Sequence, residues 1–237
     1  MPVKSEVIAE DDGYGIYAHR HRRQRRTLVI TFDGIKSGIA QKGFGTEWSL
    51  KQGYDTIFVA QQRLSQYQLL SREQFTESVA KVCSAYDRVV CYGASLGGYA
   101  ALYFGGSISA RIVAASPRLS NHPAFPHNRY SNIDFFHERE LPEPLSSQPP
   151  VIIFDPLHLR DSRFVFQYVG PRYKDMHLLT LPGVGHLPLG AMAQAGLLSR
   201  FMPNLITGKI NALPKWAVSS IRGIDDRLLE TSTESSL

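Results

Sequence analysis

Residues 88–98 read Arg-Val-Val-Cys-Tyr-Gly-Ala-Ser-Leu-Gly-Gly, and this stretch decides the fold of the chain. Its first part is short, apolar and rich in β-branched residues, which is typical of a strand buried in a parallel sheet. The residues that follow Ser95 favour a helix. Gly93 and Gly97, two positions before and after Ser95, lack the Cβ atoms that would clash in a sharp turn. The stretch therefore predicts a strand, a tight turn that exposes the hydroxyl of Ser95, and a helix whose N-terminus stabilises negative charge.

Apolar segments alternate with helical patterns along the rest of the chain. Strands are predicted at 14–18, 27–32, 55–60, 109–115, 151–155 and 177–181, and helices at 71–86, 161–169 and from about 187 to 201. A basic turn joins the first two of these strands, which predicts an opening antiparallel hairpin. The alternation indicates an α/β fold: a doubly wound, mostly parallel sheet with helices on both faces. Ligands of such sheets bind at the carboxyl ends of the strands.

The length of 237 residues suits a single α/β domain over residues 1–237. Residues 117–150 hold seven of the 14 prolines. They predict an irregular loop insertion that binds substrate, in place of a large cap. Residues 202–237 are expected to form a C-terminal extension, with one helix around residues 216–229 and an unstructured end.

The formal net charge of +5 owes much to a basic run at residues 20–26, which contains Arg20, Arg22, Arg23, Arg25 and Arg26. This run is a candidate contact for an acidic partner. It lacks interleaved aromatic residues that stack on bases, so no nucleic acid is expected. No apolar segment approaches the roughly 20 residues of a membrane span. The N-terminus shows no hydrophobic secretory segment, so a cytoplasmic location is expected.

The sequence contains no recognised pattern for a metal or an organic cofactor. Cys83 and Cys91 have no partners at a metal-ligand spacing, and Cys91 lies in an apolar strand. No glycine-rich phosphate loop and no metal-binding histidine motif is found. We therefore expect neither a metal nor a cofactor.

A serine hydroxyl attacks a carbonyl only when a base accepts its proton, and this base is usually a histidine oriented by a carboxylate. His186 follows the last predicted strand in the turn Pro-Gly-Val-Gly-His, and Asp155 ends the strand before it. The order Ser95, Asp155, His186 is expected when nucleophile, acid and base follow successive strands. Asp161 is the alternative acid. Its place before a helical run also suits an N-cap, so Asp155 is favoured.

The negative charge that develops on an attacked carbonyl oxygen needs backbone N–H donors. Leu96, directly after the serine, is one predicted donor. The second is expected from Gly34 or Ile35, in the loop after the strand at 27–32. The carboxylate of Asp33 would repel an oxyanion, so we expect it to point away and to accept hydrogen bonds from loop backbone.

Together these residues resemble the α/β-hydrolase superfamily over roughly residues 14–201. The Gly-x-Ser-x-Gly pattern around Ser95 corresponds to the nucleophile elbow, Asp155 to the acid loop and His186 to the base loop. Residues 86–102, with a Ser-Pro pair after the next strand, are similar to a compact bacterial group of hydrolase-like proteins associated with modification of surface polysaccharides or glycans. One departure is that Asp33 and Gly34 stand where a His-Gly pair is expected.

The residues and the resemblance predict a serine hydrolase, an esterase that forms an acyl-enzyme through Ser95, His186 and Asp155. Its substrate would be a small-molecule ester or an acylated sugar. One alternative is an acyltransferase that passes the acyl group to a sugar or another hydroxyl acceptor. A second is a non-catalytic protein of the hydrolase fold that binds an acidic partner through the basic run.

Overall fold

A computed structural model describes residues 3–130, 132–212 and 219–220. The described strands form one sheet in the order β1-β2-β4-β3-β5-β6-β7-β8-β9. They are β1 (Val3–Glu10), β2 (Tyr14–His21), β3 (Thr27–Phe32), β4 (Asp55–Gln61), β5 (Arg88–Ala94), β6 (Arg111–Ala115), β7 (Val151–Phe154), β8 (His177–Thr180) and β9 (Ser219–Ser220). Strands β3 to β8 run parallel, whereas β1, β2 and β9 pair antiparallel with their neighbours. The predicted mostly parallel α/β sheet is confirmed.

The opening antiparallel hairpin is present, but it is formed by β1 and β2. The predicted hairpin between residues 14–18 and 27–32 is wrong, because β4 lies between β2 and β3 and pairs with both. All six residues of β3 are buried, and such a strand needs a hydrogen-bonded neighbour on each side, which β4 and β5 supply. Strand β1 was not predicted, since its polar side chains are mostly exposed or half-buried.

Helices cover both faces of the sheet. They are α1 (Thr46–Lys51), α2 (Arg72–Cys83), α3 (Leu96–Gly105), α4 (Leu159–Phe164), α5 (Pro188–Gln194) and α6 (Leu198–Thr207). Residues of α2, α3 and α4 share one buried apolar cluster with the sheet, and residues of α1, α5 and α6 pack into a cluster on the other face. The doubly wound arrangement is therefore confirmed.

The helices differ in detail from the prediction. Helix α2 begins at a capping box in which Ser71 and Gln74 each bond the backbone of the other. The helix predicted from about 187 to 201 is two helices, α5 and α6, which are separated at Gly196 with a φ of +68°. Helix α4 continues as a π-helical turn, Val165–Val169, and α1 was not predicted.

Residues 117–150 are irregular in their described part, apart from the short 3₁₀ turn Asn128–Tyr130. This agrees with the predicted loop insertion. Residues 219 and 220 form β9 rather than part of the helix predicted around 216–229, and the remainder of that prediction lies outside the described residues. In the described ranges, no helix is both long and apolar enough to span a bilayer.

Candidate active site

Ser95 occupies a strained turn between the end of β5 and the start of α3. Its φ is +54° and its ψ is −119°, a conformation that costs free energy for any residue with a side chain. A Cβ on Gly93 would lie 2.0 Å from the carbonyl oxygen of Gly97, and a Cβ on Gly97 would lie 2.3 Å from that of Phe32. Only glycine fits at these two positions, so the predicted strand, turn and helix are confirmed together with the reason for both glycines.

His186 lies within hydrogen-bond distance of the serine. Its Nε2 is 2.8 Å from the Oγ of Ser95. The histidine follows β8 in a turn where Gly183 and Gly185 have φ of +84° and +66°, a left-handed region that favours glycine. The two predicted residues therefore come together at the carboxyl ends of β5 and β8, although 91 positions separate them.

Asp161 binds the other nitrogen of this imidazole. Its carboxylate oxygens lie 2.9 and 2.8 Å from the Nδ1 of His186, and its side chain is fully buried. Because a carboxylate only accepts, Nδ1 carries the proton, and Nε2 of the neutral ring accepts the hydrogen bond from Ser95. The carboxylate at the imidazole is thus Asp161, the alternative, and not Asp155. Asp161 is not the N-cap of α4, since His158 holds that position.

Asp155 supports the same loop through backbone contacts. Its Oδ1 accepts a hydrogen bond from the N–H of Leu157 at 2.9 Å, and its Oδ2 accepts one from the N–H of Gly185 at 2.7 Å. These bonds tie the end of β7 to the turn that precedes His186. Both oxygens of Asp155 therefore bind backbone, and the carboxylate that contacts the imidazole is the one on α4.

Two basic residues that the sequence analysis missed also contact Asp161. The Nδ1 of His158 lies 3.2 Å from Oδ2, and the Nη1 of Arg118 lies 3.9 Å from Oδ1. The backbone N–H of Arg118 donates to the carbonyl oxygen of Ser95 at 3.1 Å. Arg118 follows the Ser-Pro pair after β6, so its position after a strand was a usable signal.

His158, Asp161 and His186 could together hold a metal ion. Each offers one ligand atom, and these atoms lie within 4.8 Å of one another. Imidazole nitrogens and a carboxylate oxygen suit zinc and similar transition metals. A metal at this place would compete with the hydrogen bond between Asp161 and His186. It would therefore also disturb the contact between His186 and Ser95.

The loop after β3 lies beside the turn at Ser95, since the carbonyl oxygen of Phe32 closely approaches Gly97. Within this loop the N–H of Gly34 donates to the Oδ1 of Asp33 at 2.8 Å. The expectation that Asp33 bonds loop backbone is confirmed. Gly34, however, already has an acceptor for its N–H, which differs from its predicted role. The roles of Leu96 and Ile35 as donors to an oxyanion stay predictions.

The basic run at residues 20–26 lies far from this site in the topology. It connects the end of β2 to the start of β3, whereas Ser95 and His186 follow the carboxyl ends of parallel strands. Arg20 pairs with Glu6 and Arg26 pairs with Asp87, so part of its charge is neutralised. The run and the candidate site are therefore at opposite ends of the sheet.

The architecture and the turn at Ser95 are those of the α/β-hydrolase fold, and solved structures agree. No family model matches the sequence, and no curated protein sequence does. The capsule O-acetyltransferase of Neisseria meningitidis serogroup A is 16% identical, with a TM-score of 0.54 over 83% of this chain and 92% of that one. MGS-M1, an α/β hydrolase from a Medee basin deep-sea metagenome, is 13% identical, with a TM-score of 0.55 over 97% and 98%.

A third similar structure is acetyl xylan esterase 1 from Thermoanaerobacterium, which is 15% identical with a TM-score of 0.53 over 84% of this chain and 88% of that one. All three likenesses extend over more than four fifths of both chains. The chain has the fold of the α/β hydrolases.

Proposed function

We propose that the protein is a serine esterase that forms an acyl-enzyme on Ser95. The observation that carries the proposal is the continuous chain of hydrogen bonds from Ser95 through His186 to the buried Asp161. Ser95 is the nucleophile, His186 is the general base and acid, and Asp161 orients the imidazole and stabilises its charged form. Asp155 is a positioning residue, because it acts on His186 only through the backbone of the turn.

In the first half of the reaction, the Oγ of Ser95 attacks the carbonyl carbon of the ester while its proton passes to the Nε2 of His186. The carbonyl electrons move onto oxygen, and the N–H of Leu96, with that of Ile35, would donate to the resulting oxyanion. When this intermediate collapses, the bond to the alcohol breaks and Nε2 returns the proton to the departing oxygen. An acyl group remains on Ser95.

In the second half, a water molecule attacks the acyl carbon and gives its proton to Nε2. The bond to Ser95 then breaks, the serine oxygen recovers the proton, and the carboxylic acid leaves. Asp161 stays ionised throughout and lowers the energy of the imidazolium in both halves.

The proposed substrate is a small ester or an acylated sugar. Two of the similar structures are named for acetyl groups, a capsule O-acetyltransferase and an acetyl xylan esterase, which supports this class. Three exposed leucines, Leu157, Leu159 and Leu187, adjoin His158 and His186 in the chain. They offer apolar surface against which an acyl group would pack.

Acyl transfer is the second candidate, since one similar structure is an O-acetyltransferase and the irregular residues 117–150 offer loops in which an acceptor would bind. The two candidates differ only in what attacks the acyl-enzyme. Incubating the protein with an acyl donor and an added sugar separates them: a sugar ester among the products supports transfer, and free acid alone supports hydrolysis.

Labelling with a fluorophosphonate probe, followed by peptide mapping, tests the nucleophile directly. We expect one label on Ser95, and its loss in the variant Ser95→Ala. Ser109→Ala is a matched control, because Ser109 also has a positive φ, of +51°, but precedes β6 at the other end of the sheet. Labelling that persists in Ser95→Ala would contradict the assignment of the nucleophile. Absence of any label on Ser95 in the unmodified protein would favour a non-catalytic protein of the same fold.

A further inference from the structure

A group of positive side chains borders the candidate site on the side of Asp161. We name Arg118, His127, Arg129 and Arg160 the cationic rim. Arg118 is anchored at the site, with its N–H on the carbonyl of Ser95 and its guanidinium 3.9 Å from Asp161. Arg160 directly precedes Asp161 in helix α4, and its side chain is exposed.

The other two members come from the loop insertion. The N–H of His127 donates to the carbonyl oxygen of Ser120 at 2.9 Å, which ties this part of the insertion to the segment that begins at Arg118. The N–H of Arg129 donates to the Nδ1 of His127 at 3.2 Å. The 3₁₀ turn at residues 128–130 is thereby held close to the strand ends.

The charges of the three arginines act on the imidazole of His127. The pKa of His127 is lowered by burial and by the charges of Arg160, Arg118 and Arg129. Arg118 and Arg160 also lie at the same carboxylate, because the first contacts Asp161 and the second precedes it in α4.

This positive charge is poorly compensated. Asp161 is the carboxylate beside Arg118, and it already bonds His186. In the described ranges of the chain, neither Arg129 nor Arg160 has a carboxylate within 4 Å. In the basic run, two of the five arginines, Arg20 and Arg26, have acidic partners.

We propose that the substrate carries an anionic group, a carboxylate or a phosphate, close to its ester, and that the cationic rim binds this group. The inference rests on the proposed function for the identity of the ester, but the binding itself needs no catalysis. Guanidinium groups suit this role, because their N–H donors match the oxygens of carboxylates and phosphates in pairs. An acylated acidic sugar or sugar phosphate would satisfy both the triad and the rim.

Binding to the Ser95→Ala protein, measured by NMR titration at low salt, tests the proposal without turnover. The probes are glucose 1-phosphate, glucuronate and the neutral methyl glucoside. We expect at least one anionic probe to bind about tenfold more tightly than methyl glucoside, and this preference to shrink at high salt. Whichever anion binds more tightly identifies the group, phosphate or carboxylate.

Two double variants with the same change in net charge locate the binding. Arg129→Gln with Arg160→Gln should weaken binding of the preferred anion about tenfold, since each exposed charge contributes up to about fivefold. Arg22→Gln with Arg23→Gln, in the basic run, should leave the affinity within about twofold. Equal weakening in both double variants, or equal affinities for the three probes, would overturn the proposal. Neither result depends on whether Ser95 is labelled, so failure of this inference and failure of the esterase proposal are distinguishable.

Discussion

Replacing each of two aspartates by asparagine should affect the reaction very differently, although Asp155 and Asp161 lie only six positions apart. Asp161 meets the Nδ1 of His186 at 2.8 Å and is fully buried. At an effective dielectric constant of 20, a full charge pair at this separation is worth about 6 kcal/mol. Since about 1.4 kcal/mol corresponds to a factor of ten, Asp161→Asn should lower kcat/KM roughly ten-thousandfold.

Asp155→Asn should have a much smaller effect on the rate. An asparagine at this position can accept one of the two backbone hydrogen bonds and turns its amide donor toward the other N–H. Such a mismatch costs about 1–3 kcal/mol, in part as lost stability of the turn before His186. The expected loss in kcat/KM is therefore about 10- to 100-fold.

Hydrolysis of 4-nitrophenyl acetate by the two variants, at equal folded concentration checked by circular dichroism, measures the contrast. Ser95→Ala defines the background rate. If Asp155→Asn loses more activity than Asp161→Asn, the assignment of the acid to helix α4 is wrong. Equal losses would refute the reasoning as well, because the structure gives only Asp161 a contact with the imidazole among these two residues.

Three further results are expected. Burial lowers the pKa of His137 to about 4, so the folded state disfavours its protonation. The neutral imidazole therefore contributes about 3 kcal/mol to the stability of the fold, which is present above pH 6.5 and is lost as the pH falls toward 4. Denaturant unfolding across this pH range should show the loss of stability, and His137→Gln should make that loss smaller. Gly97→Ala should destabilise the fold by about 3 kcal/mol, because the new Cβ would collide with backbone atoms. Gly190→Ala should not destabilise it, because the nearest atom to its Cβ would be 3.9 Å away. Thermal unfolding of the two variants measures the difference. Zn²⁺ should inhibit ester hydrolysis by binding to His158, Asp161 and His186, and a chelator should restore the activity. His158→Gln should need at least about tenfold more Zn²⁺ for half-inhibition.

The parts of the site that could be predicted from the sequence are those fixed by local backbone geometry. Gly93 and Gly97 identify the turn at Ser95 because a Cβ at either position would collide with backbone. The glycines before His186 likewise mark the turn that carries the imidazole. Both signals lie within a few residues of the side chain that they position.

The choice of acid could not be made in the same way. Asp155 and Asp161 both follow β7, and which of them faces His186 depends on how α4 packs and on the backbone donors that occupy Asp155. The contact between Arg118 and Asp161 also joins segments that are distant in the sequence. No local pattern encodes such contacts.

The order of the strands in the sheet could not be predicted from local sequence patterns either. The strands predicted at 14–18 and 27–32 lie within β2 and β3, but their predicted pairing is wrong, since β4 lies between them and comes later in the chain. Adjacency in sequence favours a hairpin. The burial of β3 on both faces requires two neighbours instead, and only the complete sheet supplies them.

The acid at the imidazole lies on a helix of six residues, α4, whereas the serine and the histidine follow strands of the sheet. Strands are fixed by hydrogen bonds to both neighbours, but α4 is held mainly by packing of its side chains, such as Phe164, and by its π-helical continuation. On warming, we therefore expect α4 to shift before the sheet melts. Heat inactivation should occur at a lower temperature than global unfolding, and the carboxylate should be the least stable part of the proposed triad.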